Sequence, residues 1–200
     1  MKIHKFNTFS RDTNFGFTLS ELMVVVSIIA ILVAATTIGG LNVLRRAQAT
    51  RIASDFRQIE TAWVTWRADT HHQYPKENEY PPNPPGYCDD EPLMQNTNLF
   101  NNHELDDETA PNPRWNGPYL EDIPLDPWRR QYTYDNDEDA SGVYIFLTYL
   151  PADAGRYNQL IPILDELIDN SDGTGGRFGW YSSAACGGIV YRIIPGPATY

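Results

Sequence analysis

GFTLSELMVVVSIIAILVAATTI, residues 16–38, decides how the rest of the chain is read. Residues 22–38 are seventeen in a row without a charge, and they begin one position after Glu21. A core helix of a soluble domain shows a polar face, whereas here only Ser27, Thr36 and Thr37 interrupt the apolar run. A secretory h-region is roughly 7–15 residues long and ends in an A-x-A-like cleavage site; nothing of that shape follows. A membrane helix needs roughly 17–25 apolar residues, and residues 17–38 fall in that range provided that Glu21 is tolerated.

Glu21 is the physical difficulty, because an ionised group at membrane depth is expensive and is normally paired or functional. No Lys, Arg or His lies between Arg11 and Arg45, so the segment itself supplies no cation. A cut between Gly16 and Phe17 would create one. The new α-amino group of Phe17 would stand about one helical turn from Glu21, and in a bundle of such helices one subunit's amine would meet its neighbour's carboxylate. The alternative is that Glu21 snorkels to the head groups.

A basic leader ending in Gly16, then FTLSE, then an apolar helix resembles the class III signal of type IV pilins and of the pseudopilins of type II secretion. The resemblance implies that a prepilin peptidase cuts after Gly16 and methylates the Phe17 amine, and that Phe17 and Glu21 set the register of a helical filament. Two further stretches are similar to the same family: RIASDFRQIETAWVTWRADTHHQYP, residues 51–75, like the end of the long helix with its Tyr-Pro exit, and GPYLEDIPLDPWRRQYTYD, residues 117–135, like the major-pseudopilin segment that enters the sheet through a DPW turn. Together these matches cover about half the chain. Relatives often carry a proline where this chain has Ile38; Gly39 and Gly40 stand beside it, each weakening a helix by roughly 1 kcal/mol relative to alanine.

The organisation that follows is a leader, 1–16; a membrane and assembly helix, 17–40; an amphipathic half of the same helix, 41–70; and a head, 71–200. No proline interrupts residues 17–69, and Ile52, Phe56, Ile59, Trp63 and Trp66 fall at the 4, 3, 4, 3 spacing of one helical face. The two halves predict one rod of roughly 80 Å at 1.5 Å per residue. Trp63 and Trp66 are expected to pack in the core, with ligand stacking the lesser alternative. Residues 71–117 read as an irregular surface loop, rich in Pro, Asn and acid beyond Pro75, and loops of that length are usually functional or poorly ordered.

In the rest of the head, 118–200, strands are expected at 131–134, 143–149 and 189–194. NQLIPILDELIDN, residues 158–170, reads as a short inserted helix with Leu160, Leu164 and Leu167 on one face and Pro162 in its first turn. The fold class is therefore α+β and pilin-like: a long N-terminal helix packed on a small antiparallel sheet.

Charge and cysteines narrow the function. The chain has 15 basic and 26 acidic side chains, net −11, and residues 1–16 contribute +2 of that through Lys2, Lys5, Arg11 and Asp12. The leader is thus cytoplasmic by the positive-inside tendency, and nucleic acid is not a predicted partner of the head, since duplex binding rests on Lys and Arg. Cys88 and Cys186 are the only two cysteines. In an oxidising space one internal bridge would tie the irregular loop to the last strand; the alternatives are free thiols or a bond between subunits.

Two acidic stretches carry side chains of the kind that ligate a metal. Asp135, Asp137 and Asp139 alternate like the opening of a calcium loop, but Ala140 stands where an EF-hand has glycine and Phe146 where it has glutamate. Residues 169–176, DNSDGTGG, offer Asp169 and Asp172 on a glycine-rich turn. The family resemblance implies a calcium ion in a loop of this C-terminal region, so Ca2+ is the one candidate ligand, with a solvated acidic turn as the plainer reading. His71 and His72 are adjacent, which favours a helix-end or loop role over a metal clamp. No nucleophile elbow, phosphate loop or zinc-protease motif occurs, so no enzymatic activity is expected.

These observations lead to a structural subunit of a type IV pilus-like filament, whether major pilin, minor pilin or secretion pseudopilin. It would begin as an inner-membrane precursor with a cytoplasmic leader and end in an extracytoplasmic filament. Its expected partners are copies of itself and other pilin-like subunits, an inner-membrane assembly platform and the prepilin peptidase. The alternative is a membrane-tethered recognition protein or adhesin whose helix only anchors it.

Overall fold

The structure is a computed structural model and describes residues 16–75, 87–88, 93–100, 102, 112–136, 142–171, 173 and 176–195. By their contacts they fall into two units, Met1–Asn42 and Val43–Tyr200, and the first helix, α1 (Leu19–Thr70), contributes to both.

α1 begins with a reciprocal cap. Thr18 Oγ1 accepts the Glu21 N–H at 3.3 Å, and Glu21 Oε2 accepts the Thr18 N–H at 2.9 Å. This is the T-x-x-E capping box, in which two donors left over at a helix start satisfy each other's side chains. The helix ends at Thr70, whose hydroxyl donates to Trp66 O at 2.7 Å. His71 follows in the left-handed region, φ 59°, its N–H closing on Arg67 O at 3.0 Å, as helix ends commonly do. Both Gly39 and Gly40 are helical.

In the first unit the described side chains from Leu19 to Thr36 are exposed, and the helix is long and apolar enough to cross a membrane. Two of its polar interruptions are self-satisfied: Ser27 Oγ donates to Met23 O at 2.7 Å and Thr36 Oγ1 to Leu32 O at 3.0 Å. Such back-bonding to the preceding turn is how a hydroxyl is accommodated without water.

In the second unit the expected stripe is buried. Ile52, Phe56, Ile59, Trp63 and Trp66, joined by Ala49, Ala53 and Ala62, form one side of the core. The other side is a four-stranded antiparallel sheet of β1 (Thr133–Asp135), β2 (Gly142–Tyr149), β3 (Phe178–Ser182) and β4 (Gly187–Pro195), in the order β1-β2-β4-β3. Alternate residues face the helix, which is the period-two pattern of a half-buried strand. The aromatic contacts show the fit: Phe56 lies between Tyr132 at 5.4 Å and Tyr191 at 5.0 Å, and Trp63 lies 4.5 Å from Tyr134. The α+β architecture is therefore as the sequence implies.

Between β2 and β3 stand a one-turn helix, α2 (Ala154–Tyr157), and α3 (Ile161–Asp169). α3 has Pro162 in its first turn and ends on Asn170 at φ 58°. Leu160 and Leu164 are buried, and Leu167 packs against the core. Arg57 Nη2 donates to Leu167 O at 2.9 Å, placing a cation at the carbonyl end of α3, where the helix dipole favours it. The strand β3 was not among the three expected from the sequence; its run FGWYS is short and contains Gly179. Within the irregular loop, Leu93 bridges to Thr133 and Met94–Asn96 form a 3-10 turn, so that part of the loop extends the edge of the sheet.

Candidate assembly site

Phe17 is 88% exposed, and a Cβ added to Gly16 would meet nothing within 4 Å. Among the described residues no close contact demands glycine at position 16. Thr18 supplies a feature that charge-based reasoning missed. Its hydroxyl also donates to Glu21 Oε2, at 2.8 Å, so the carboxylate has two neutral donors inside its own segment. The signal was present in the sequence as T-x-x-E ahead of an apolar run. Neutral donors hold the carboxylate in place without cancelling its charge. The arrangement thus fixes Glu21 in the first turn of α1, four residues from Phe17, beside an apolar face.

A second polar centre lies in the head, on the DPW turn. Asp126 is buried; its Oδ1 accepts the N–H groups of Trp128 at 2.8 Å and Arg130 at 2.7 Å, and its Oδ2 accepts the Tyr157 hydroxyl at 2.5 Å. Tyr157 stacks on Tyr149 at 4.5 Å and meets Trp128 edge-on at 4.7 Å. Burial, with Asp126 beside it, pushes the Tyr157 phenol far above its ordinary range. Arg130 reaches Thr148 O at 3.1 Å and Asp153 at 3.3 Å. These bonds tie the DPW turn to α2 and β2.

Cys88 and Cys186 are joined in a disulfide across 98 residues, with Cα atoms 5.7 Å apart. It ties the irregular loop to the β3–β4 connection, immediately ahead of β4. Of the acidic candidates, Asp137, Asp139 and Asp172 lie outside the described residues. Asp135 is in β1, opposite Tyr144. Asp169 Oδ2 accepts the Phe178 N–H, holding the turn from α3 into β3. Among the described residues no group of three or more His, Cys, Asp or Glu is gathered for a metal.

Two family models match the chain: the prokaryotic N-terminal methylation motif over residues 11–37, and protein G of the type II secretion system over residues 99–153. The first spans the Gly16–Glu21 region and most of the apolar run; the second spans the DPW turn, β1 and β2. No curated protein and no solved structure matches.

Proposed function

We propose that this chain, which those two matches support as a type IV pilin or pseudopilin, is a structural subunit that polymerises through α1 into a pilus-like filament. The precursor is inserted in the inner membrane with residues 1–16 in the cytoplasm. Prepilin peptidase cuts between Gly16 and Phe17, and the Phe17 amine is methylated. In the filament, apolar flanks of neighbouring helices bury one another, at roughly 25 cal/mol per Å² of apolar surface kept from water. The Phe17 amine of one subunit meets Glu21 of the next and fixes the stagger between them.

The observation that carries this reading is the cap: an apolar stretch of α1, exposed from Leu19 to Thr36, whose first turn holds one carboxylate in a set position. A tether needs no such carboxylate, because an anchor functions better without it. Interaction between subunits gives it a purpose.

The two roles of Glu21 separate by substitution. Glutamine serves at the third position of a capping box as glutamate does, so Glu21→Gln keeps the cap and removes the charge. Filaments should fail to form from Glu21→Gln and Glu21→Leu alike, by electron microscopy of sheared material, while membrane insertion is unchanged. Normal polymerisation of Glu21→Gln would exclude charge pairing. Calcium enters this reading at residues 169–176 through Asp169 and Asp172, and a fall in Tm on adding chelator is its test.

A further inference from the structure

Within the second unit, α1 has two flanks beside its buried stripe, and each is tied to a different edge of the head. On one, Glu60 accepts the Tyr191 hydroxyl at 2.6 Å and pairs with Arg177, next to β3 and β4. On the other, Asp55 accepts the Tyr132 hydroxyl at 2.8 Å and Arg51 Nη2 donates to Leu125 O at 3.1 Å, in the segment that enters β1. At about 3.6 residues per turn, positions 60, 64, 67 and 71 follow the first flank, and positions 51 and 55 follow the opposite one.

The first flank borders an open groove of about 610 Å³, whose lining includes Val64, Arg67 and His71. All three are exposed, Val64 by 51%. Arg67 lies 5.1 Å over the Tyr74 ring, and no carboxylate pairs with it among the described residues. Glu60 is already taken by Arg177, and His72, also in the lining, has a partner of its own. The guanidinium of Arg67, with His71 one turn further on, is therefore the charge this groove offers to a visitor.

The second flank offers the converse. Glu121, Asp122 and Ile123 are consecutive and exposed, just ahead of Leu125. Among the described residues no cation pairs with either carboxylate. Beyond residue 44, the exposed large hydrophobic side chains of the described residues are Val64, Ile123 and Leu150. Two of those three thus sit in these two patches, one beside a cation and one beside two anions.

Copies of a chain of net charge −11 repel one another, so contacts between them form where opposite charges meet. Patches on opposite flanks give a heterologous contact, which leaves one patch free on each outer copy. Such a contact repeats without closing and builds an open helical array.

We propose that the groove of one copy receives residues 121–123 of a second, with Arg67 and His71 meeting Glu121 and Asp122, and Val64 meeting Ile123. The inference rests on the polymerisation reading and names one contact between heads within it. A full-length chain carrying both Val64→Cys and Ile123→Cys, with Cys88 and Cys186 intact, is assembled into filaments and oxidised, and peptide mass spectrometry identifies the joined cysteines. The expected result is a ladder of multimers linked between positions 64 and 123, absent from either single-cysteine chain. The ladder should be lost when Arg67→Glu is added, and restored when Glu121→Arg and Asp122→Arg are added as well. A 64-to-123 bond confined to one monomer overturns the proposal, as does a ladder unchanged by Arg67→Glu or a loss that the double charge reversal does not restore. Filaments without any such bond overturn it too, and leave the polymer reading standing. If no filaments form from the wild-type chain, both readings fall.

Discussion

The hydroxyl of Tyr157 donates to Asp126 Oδ2 over 2.5 Å while the other oxygen of that carboxylate holds two backbone N–H groups of the DPW turn. The pair joins α2 to the segment entering β1 and is 31 residues apart in sequence. A hydrogen bond to a charged group contributes about 1.5–3 kcal/mol, and stranding several buried donors is worse. Tyr157→Phe should therefore destabilise the head by about 2 kcal/mol and Asp126→Ala by about 4 kcal/mol, with Asp126→Asn nearer the former. Thermal unfolding of the full chain in detergent reads all three.

Removing the Cys88–Cys186 bridge by Ser at both positions should cost about 4–5 kcal/mol on the chain-entropy model for a loop of this length. The same loss should appear in wild-type protein on reduction, and the Ser variant should not respond to reductant. Denaturant unfolding with and without a thiol measures it.

Replacing Thr18 by Ala removes the capping hydroxyl and leaves the charge of Glu21 untouched. Loss of a threonine cap costs about 1 kcal/mol of helix stability. Circular dichroism in micelles should show fraying of the first turn, and filament yield should fall without being abolished, in contrast to Glu21→Gln.

Burial holds the Asp55 carboxyl above the ordinary aspartate range, against the opposing Tyr132 hydrogen bond and the nearby Arg51. A folded pKa raised above the unfolded one gives stability that is present at acid pH and lost as pH rises through the folded pKa. Relative to Asp55→Asn, which keeps an acceptor for Tyr132, the wild type should lose stability over that rise. The difference between the two Tm profiles should be flat above it.

Tyr191 is pushed up to about 12, by burial first and then by its hydrogen bond to Glu60; Tyr132 and Tyr157 are raised too. The same sign holds, so the head should lose stability between the unfolded tyrosine range near about pH 10 and pH 12. Ultraviolet titration should show a late group of phenols, and Tyr191→Phe should remove one of them and lessen the alkaline loss.

The helical stripe from Ile52 to Trp66 was legible because one period governs it and nothing interrupts it. β2 and β4 were legible as β-branched and aromatic runs between turn residues. β3 was not, because Gly179 and a neighbouring glycine run obscure a five-residue strand whose identity comes from pairing with β4. The partners of the buried hydroxyls are also invisible locally: Tyr132 reaches Asp55 across 77 residues and Tyr191 reaches Glu60 across 131. At the N-terminus the matched methylation motif could be read locally, yet attention to charge alone hid Thr18, whose part is played by neutral hydrogen bonds.

Ser27 and Thr36 turn their hydroxyls back onto their own helix, and this bears on how a subunit changes surroundings. Neither group would have to trade a solvent molecule for a protein partner if the helix moved from bilayer to filament, as the proposed function requires. For these two hydroxyls the transfer carries no lost hydrogen bond, and Glu21 is the ionisable side chain of residues 17–38 that has to be accommodated. Under the proposed function, a precursor whose Phe17 nitrogen is still held in a peptide bond offers Glu21 no amine, and the cut after Gly16 is what would release the subunit from the lipid.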